Sequence, residues 1–136
     1  MLVLDSTLTL AWFFRDKQNE AVRALLQRVA GKGAVVPQIW RLEVANGLQS
    51  ALRLKLIEPW YRDACLADLA ALDIAPDQTT FEAAFGETLR LATRFNIPVY
   101  AASYLELAQR RGLPLAALDH GLREAGAGLG LEMVEI

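Results

Sequence analysis

Three apolar runs in this chain are too short to be helices and too uniform to be exposed loops. They are Leu2-Val3-Leu4, Ala34-Val35-Val36 and Leu115-Ala116-Ala117-Leu118. A brief unbroken apolar run reads as a strand buried on both faces. The long stretches between these runs carry helical spacing instead. Strands of that kind, separated by helices, pair in parallel and need a helical layer on each side. The expectation is therefore a single α/β domain over residues 1–136.

Local signals refine this reading. Asp5 or Ser6 caps a short helix reaching Phe14. Ala21, Leu25 and Val29 form one stripe of a helix over residues 19–29, which Gly31-Lys32-Gly33 stops. Pro37 closes the second strand, and a longer helix runs over residues 38–53. Pro59 suits a first helical turn, so residues 58–72 form another helix. Ile74 belongs to a brief strand. Thr79 or Thr80 caps a helix running to about Phe95. Pro98 opens a helix to Arg111, which Gly112 ends. A helix follows Asp119, and residues 131–134 make a last strand.

Composition narrows the setting. A length of 136 residues and an apolar fraction of 54% suit one domain with a sizeable core and some surface for self-association. No apolar stretch approaches the roughly 18 residues of a spanning helix, so no membrane partner is expected. The N-terminus lacks the basic region and cleavage site of a signal peptide. Cys65 is the one cysteine, which excludes an internal disulfide and points to a reducing, cytoplasmic setting. Cys65 reads as a small core residue. The net charge of −2 excludes no partner class, because local basic pairs such as Arg15 with Lys17 and Arg53 with Lys55 can still meet an anion.

Three acids stand out against this apolar background. Asp5 ends the first strand, Asp119 follows the late strand, and Glu43 interrupts the helical stretch Ile39 to Ala45. Charged side chains are seldom buried without a partner. In an open parallel sheet, ligands sit beyond the carboxyl ends of the strands, where Asp5 and Asp119 fall. A divalent cation is the simplest shared partner for three carboxylates. Each acid also has a plainer reading: a helix cap for Asp5 and Asp119, a salt bridge to Arg41 or Arg53 for Glu43. Ile39, Leu42, Glu43, Asn46 and Ser50 make one stripe, and Trp40, Val44, Leu48 and Ala51 another, so both faces of that helix are expected to be covered. His120 reads as an exposed first-turn residue. Tyr100, Tyr104, Trp12, Trp40 and Trp60 read as core or interface residues.

Other chemistries lack their residues. There is no Walker A loop, no glycine-rich dinucleotide turn, no Gly-x-Ser-x-Gly and no zinc-ligand spacing. A receiver-like phosphoacceptor would want a second acid beside Asp5 and a lysine closing the last strand, and neither is present.

The ordered segments resemble those of PIN-domain proteins of the VapC type, the ribonuclease toxins of toxin–antitoxin pairs. Leu-Val-Leu-Asp5-Ser is similar to the first motif, and Pro37-Gln-Ile-Trp-Arg-Leu-Glu-Val-Ala-Asn46 to the second. Val99-Tyr-Ala-Ala-Ser-Tyr-Leu-Glu-Leu-Ala108 with Leu113-Pro-Leu-Ala-Ala-Leu-Asp119 is similar to the third and fourth. The resemblance implies a three-layer α/β/α sandwich with a mostly parallel sheet. It implies Mg²⁺ or Mn²⁺ held by Asp5, Glu43 and Asp119, and metal-dependent cleavage of RNA. It implies a homodimer, with the helices around residues 40–52 and 58–72 as candidate surfaces, and a small antitoxin that occludes the site. The family usually carries Asp after the Val-Tyr pair, where this chain has Ala101, and often Thr or Ser where it has Ala117. Alanine offers a metal no oxygen, so the resemblance also implies weakened or lost turnover. The alternative it leaves is a catalytically dead module that binds RNA or antitoxin.

Overall fold

The computed structural model describes all of residues 1–136. Four short strands form one sheet: β1 (Val3–Leu4), β2 (Ala34–Val36), β3 (Ile74–Pro76) and β4 (Leu115–Ala116). Their order is β3-β2-β1-β4 and every pairing is parallel. Val3 pairs with Val35 on one side and with Leu115 on the other. The chain thus builds outward from β1 through β2 to β3, then returns to add β4 on the opposite flank. The crevice between β1 and β4 is where the strand order reverses. In open parallel sheets such a point is where ligands sit.

Seven α-helices cover the sheet: α1 (Ser6–Ala11), α2 (Glu20–Lys32), α3 (Trp40–Arg53), α4 (Pro59–Ala70), α5 (Leu89–Phe95), α6 (Val99–Arg111) and α7 (His120–Gly128). All residues of β1, β2 and β4 are buried, as continuous apolar runs require. They join Leu8, Val22, Val29, Leu48, Leu105 and Leu107 in one core. The boundaries follow the local chemistry. Asn19 caps α2 by accepting from the Val22 N–H at 2.8 Å, and Gly33 ends it at a φ of +76°. Gly112 ends α6 in the left-handed region.

Gly47 sets the approach of α3 to α1. A Cβ there would stand 2.3 Å from a terminal methyl of Leu10. The absent side chain lets α3 lie close enough for its buried stripe, Trp40, Val44, Leu48 and Ala51, to meet the core. The other stripe is covered only in part: Ile39 packs against the core and Glu43 meets Tyr104 of α6, but Leu42 and Asn46 are exposed. The expectation that both faces of this helix are packed therefore fails at Leu42 and Asn46.

Three further expectations are corrected. The first helix stops at Ala11, and residues 15–17 form a separate 3₁₀ turn. The helix expected from Thr79 or Thr80 to Phe95 is broken. A π turn spans Ala84–Thr88, and Gly86, with φ −107° and ψ −110°, leaves helical geometry before α5 begins. Glycine tolerates that departure where a side chain would resist it. Residues 131–134 do not make a strand: Met133 forms one isolated parallel bridge to Leu115. No helix is long and apolar enough to cross a membrane.

Candidate metal centre

Asp5 leaves β1 at the switch point and caps α1. Its Oδ1 accepts from the Leu8 N–H at 2.7 Å, and its Oδ2 accepts from the Leu118 N–H, just past β4, at 3.2 Å. The cap and the ligand readings of Asp5 are therefore compatible: each oxygen spends one lone pair on the backbone and keeps another. The residue is only 3% exposed. Burial pushes its carboxyl up to about 6, with the nearby charges of Glu43 and Asp119 adding to the rise and the two backbone N–H groups opposing it. Asp5 forms no salt bridge with a lysine or arginine.

Asp119 follows β4 and caps α7, its Oδ2 accepting from the Leu122 N–H at 2.8 Å. It is exposed where Asp5 is buried. His120 lies beside it in the first turn, exposed and paired with Glu124 at 3.1 Å.

Glu43 lies in the first turn of α3 and is half-buried. It pairs with neither Arg41 nor Arg53. Its Oε1 accepts from the Tyr104 hydroxyl at 2.5 Å, across 61 residues of sequence. Tyr104 is a buried residue of α6. Burial first, then the hydrogen bond and the charge of Glu43, push its phenol far above the usual range, so it stays protonated and donates. One turn before Glu43, the Trp40 indole N–H donates to Thr9 Oγ1 at 3.0 Å, and Thr9 donates to the Asp5 carbonyl at 2.8 Å. That relay fixes the start of α3 to the segment carrying Asp5. Ala101 sits half-buried in the first turn of α6, one turn before Tyr104.

The three acids surround one end of the sheet, but no group of three His, Cys, Asp or Glu side chains stands close enough to grip one ion. The donors nevertheless fit a hard divalent cation. They are all oxygens, they are mutually repelling, and no cation of the chain offsets the buried member. Mg²⁺ in particular keeps several waters and uses one or two carboxylates, the remainder coming from a bound phosphate. Asp5 would be the central ligand, since its carboxyl feels the charge of Glu43 first and that of Asp119 second.

A second charged cluster escaped the sequence reading. Asp77 follows β3 and Glu106 lies on α6; both are 5% exposed. Arg110 donates to both Asp77 oxygens, at 3.1 and 2.7 Å, and to both Glu106 oxygens, at 2.7 and 3.1 Å. The guanidinium lowers the Asp77 pKa against the opposing effect of burial. Thr80 donates to Asp77 at 3.0 Å and accepts from the Gln38 N–H at 3.1 Å, which ties the edge of the sheet to the approach of α3. The spacing of Glu106 and Arg110, four apart on a helix, was the one visible signal. Tyr104 had a signal too, since it shares a helical face with position 101.

The family model described as "PIN domain" matches residues 2–128. No curated protein matches the chain in sequence. Among solved structures, the chain is similar to FitAcB from Neisseria gonorrhoeae, with a TM-score of 0.68 and 17% identity over 99% of this chain and 97% of that one. It is also similar to PAE2754 from Pyrobaculum aerophilum, with a TM-score of 0.64 and 19% identity over 91% and 84%. At those identities the likeness is one of fold, and it agrees with the parallel four-stranded sheet and its flanking helices. With its switch-point acids and a match over nearly its whole length, the chain belongs to the PIN domain family.

Proposed function

We propose that this chain is a metal-dependent endoribonuclease of the VapC type, the toxin of a toxin–antitoxin pair, with turnover weakened by Ala101. The observation that carries this reading is Asp5: a carboxylate buried at the switch point, its pKa raised by that burial and further by Glu43 and Asp119, with no salt bridge to relieve it. Such a group calls for an external cation, and PIN domains are generally metal-dependent nucleases. Bound there, Mg²⁺ or Mn²⁺ would supply a more acidic water and stabilise charge on the scissile phosphate. The chain's own part is to place oxygens. Asp5 is held by two backbone N–H groups, Asp119 by its own helix, and Glu43 by Tyr104. The exposed Asp119 stands on the solvent side, where an RNA backbone can reach it.

The proposed partners follow from the same reading. They are RNA as substrate, a small antitoxin that covers the site, and a second copy of the chain, in a cytoplasmic setting. Leu42, Leu54, Leu56, Trp60 and Leu66 lie exposed on and between α3 and α4, which suits the two helices as an interface.

A second reading has its own support. Ala101 and the lack of a tight three-acid group favour a module that binds RNA or antitoxin without cutting. Cleavage of RNA with Mg²⁺ or Mn²⁺ separates the two. The nuclease reading expects slow, metal-dependent cleavage, lost in Asp5→Asn and faster in Ala101→Asp. No cleavage by any of these proteins with either metal leaves the binding module standing.

A further inference from the structure

The hydrogen bond between Tyr104 and Glu43 joins two helices at the edge of the acid group, and nothing else in the chain restrains the Glu43 carboxylate. It makes no ion pair and caps no helix. Glu43 is only half-buried, and Leu42 and Asn46 beside it are exposed. Tyr104, by contrast, is 2% exposed and belongs to the core. A buried donor holds a half-buried acceptor at 2.5 Å. The hydroxyl is also close enough to Ser6 and Asp5 to feel both. It therefore stands between Glu43 and the segment that carries Asp5.

We infer that Tyr104 is a positioning residue for a divalent cation: through its hydroxyl, α6 orients Glu43 toward the ion, in a chain whose α6 brings no carboxylate at residue 101. The inference rests on the metal-dependent reading above. An outer-shell donor of this kind fixes which lone pairs of a carboxylate face the metal, and its loss weakens metal binding roughly 10- to 100-fold. A free glutamate would sample several rotamers and lose that freedom on binding the ion, an entropic cost that Tyr104 has already met in the fold.

The experiment titrates Mn²⁺ alone, by calorimetry, into the full chain and into Tyr104→Phe, Glu43→Gln and the double variant. Phenylalanine keeps the buried ring, and urea unfolding without metal reports any general loss of packing. The expected result is Mn²⁺ binding to the wild type, at least tenfold weaker binding to Tyr104→Phe, and no further weakening when Tyr104→Phe is added to Glu43→Gln. A purely structural tyrosine would weaken both backgrounds alike, and that overturns the inference. Equal or tighter binding by Tyr104→Phe overturns it while leaving the metal reading intact. A wild type that binds no Mn²⁺ overturns both.

Discussion

Asp5 accepts a hydrogen bond from the backbone N–H of Leu118, 113 residues further along the chain. This contact closes the seam between the first strand and the last, and it holds a carboxylate at the point where the strand order reverses. The site is thus built by topology: β1 and β4 are neighbours in the sheet although most of the chain lies between them.

Asp5 should weaken the fold as it ionises. Its pKa is 3.8 in an exposed chain and about 6 in the folded one, so the folded state holds the proton more tightly. Stability from this group is then fully present below the lower value and is lost as pH rises through the upper one. The difference is worth roughly 3 kcal/mol. Asn at position 5 keeps the cap on α1 but carries no charge. In urea unfolding with a chelator present, Asp5→Asn should gain about 2–3 kcal/mol relative to the wild type between about pH 3.5 and pH 7.5. A pH-independent difference would show that Asp5 is not charged at a cost.

Arg110 serves two buried carboxylates, so its removal should be severe. Arg110→Met leaves Asp77 and Glu106 without a cation, and breaking a buried pair costs about 3–5 kcal/mol. The arginine is itself one-third exposed, which discounts the loss to about 2–4 kcal/mol. Because the Asp77 pKa is lowered, its stabilisation is present above the usual carboxylate range and fades as pH falls through its folded value. Urea titrations of the two proteins should accordingly converge at acid pH.

Gly47 and Leu10 should behave as a coupled pair. Alanine at 47 gains about 1 kcal/mol of helix propensity but meets the Leu10 methyl at 2.3 Å. Gly47→Ala alone should destabilise by about 1–2 kcal/mol. In a Leu10→Ala background the same change should stabilise. Thermal unfolding of the four proteins gives the coupling directly.

How much of this was legible in the sequence depends on where each residue finds its partner. The helix caps at Asp5 and Asp119 were legible because strand, acid and helix follow one another locally. The parallel sheet was legible from the apolar runs alone. Tyr104 is the core residue its sequence suggests, but its bond to Glu43 is not legible there, because the acceptor lies 61 residues away and no periodicity links a phenol to a distant glutamate. Asp77 and Arg110, 33 residues apart, were missed for the same reason. Residues 131–134 have strand composition, but their backbone meets β4 at one bridge, so register decided what composition could not. The helix expected to reach Phe95 has the right spacing and is undone by Gly86.

Ala101→Asp should raise the gain in stability on adding Mn²⁺. Without metal, a new carboxylate in the first turn of α6 gains about 0.3–1 kcal/mol from the helix dipole and loses a comparable amount to the acids nearby. With metal, it becomes a further oxygen donor. Differential scanning fluorimetry should show little change in Tm without the ion and a larger Mn²⁺-induced rise than in the wild type. An equal rise in both would mean that residue 101 does not face the cation.

The most direct measurement is a crystal structure grown with Mn²⁺ and read by its anomalous scattering. The account predicts a peak in the β1–β4 crevice within ligand distance of Asp5 and Asp119, with Glu43 still held by Tyr104. A crevice free of anomalous density at saturating Mn²⁺, or a peak lodged at Asp77 and Glu106 instead, would contradict it.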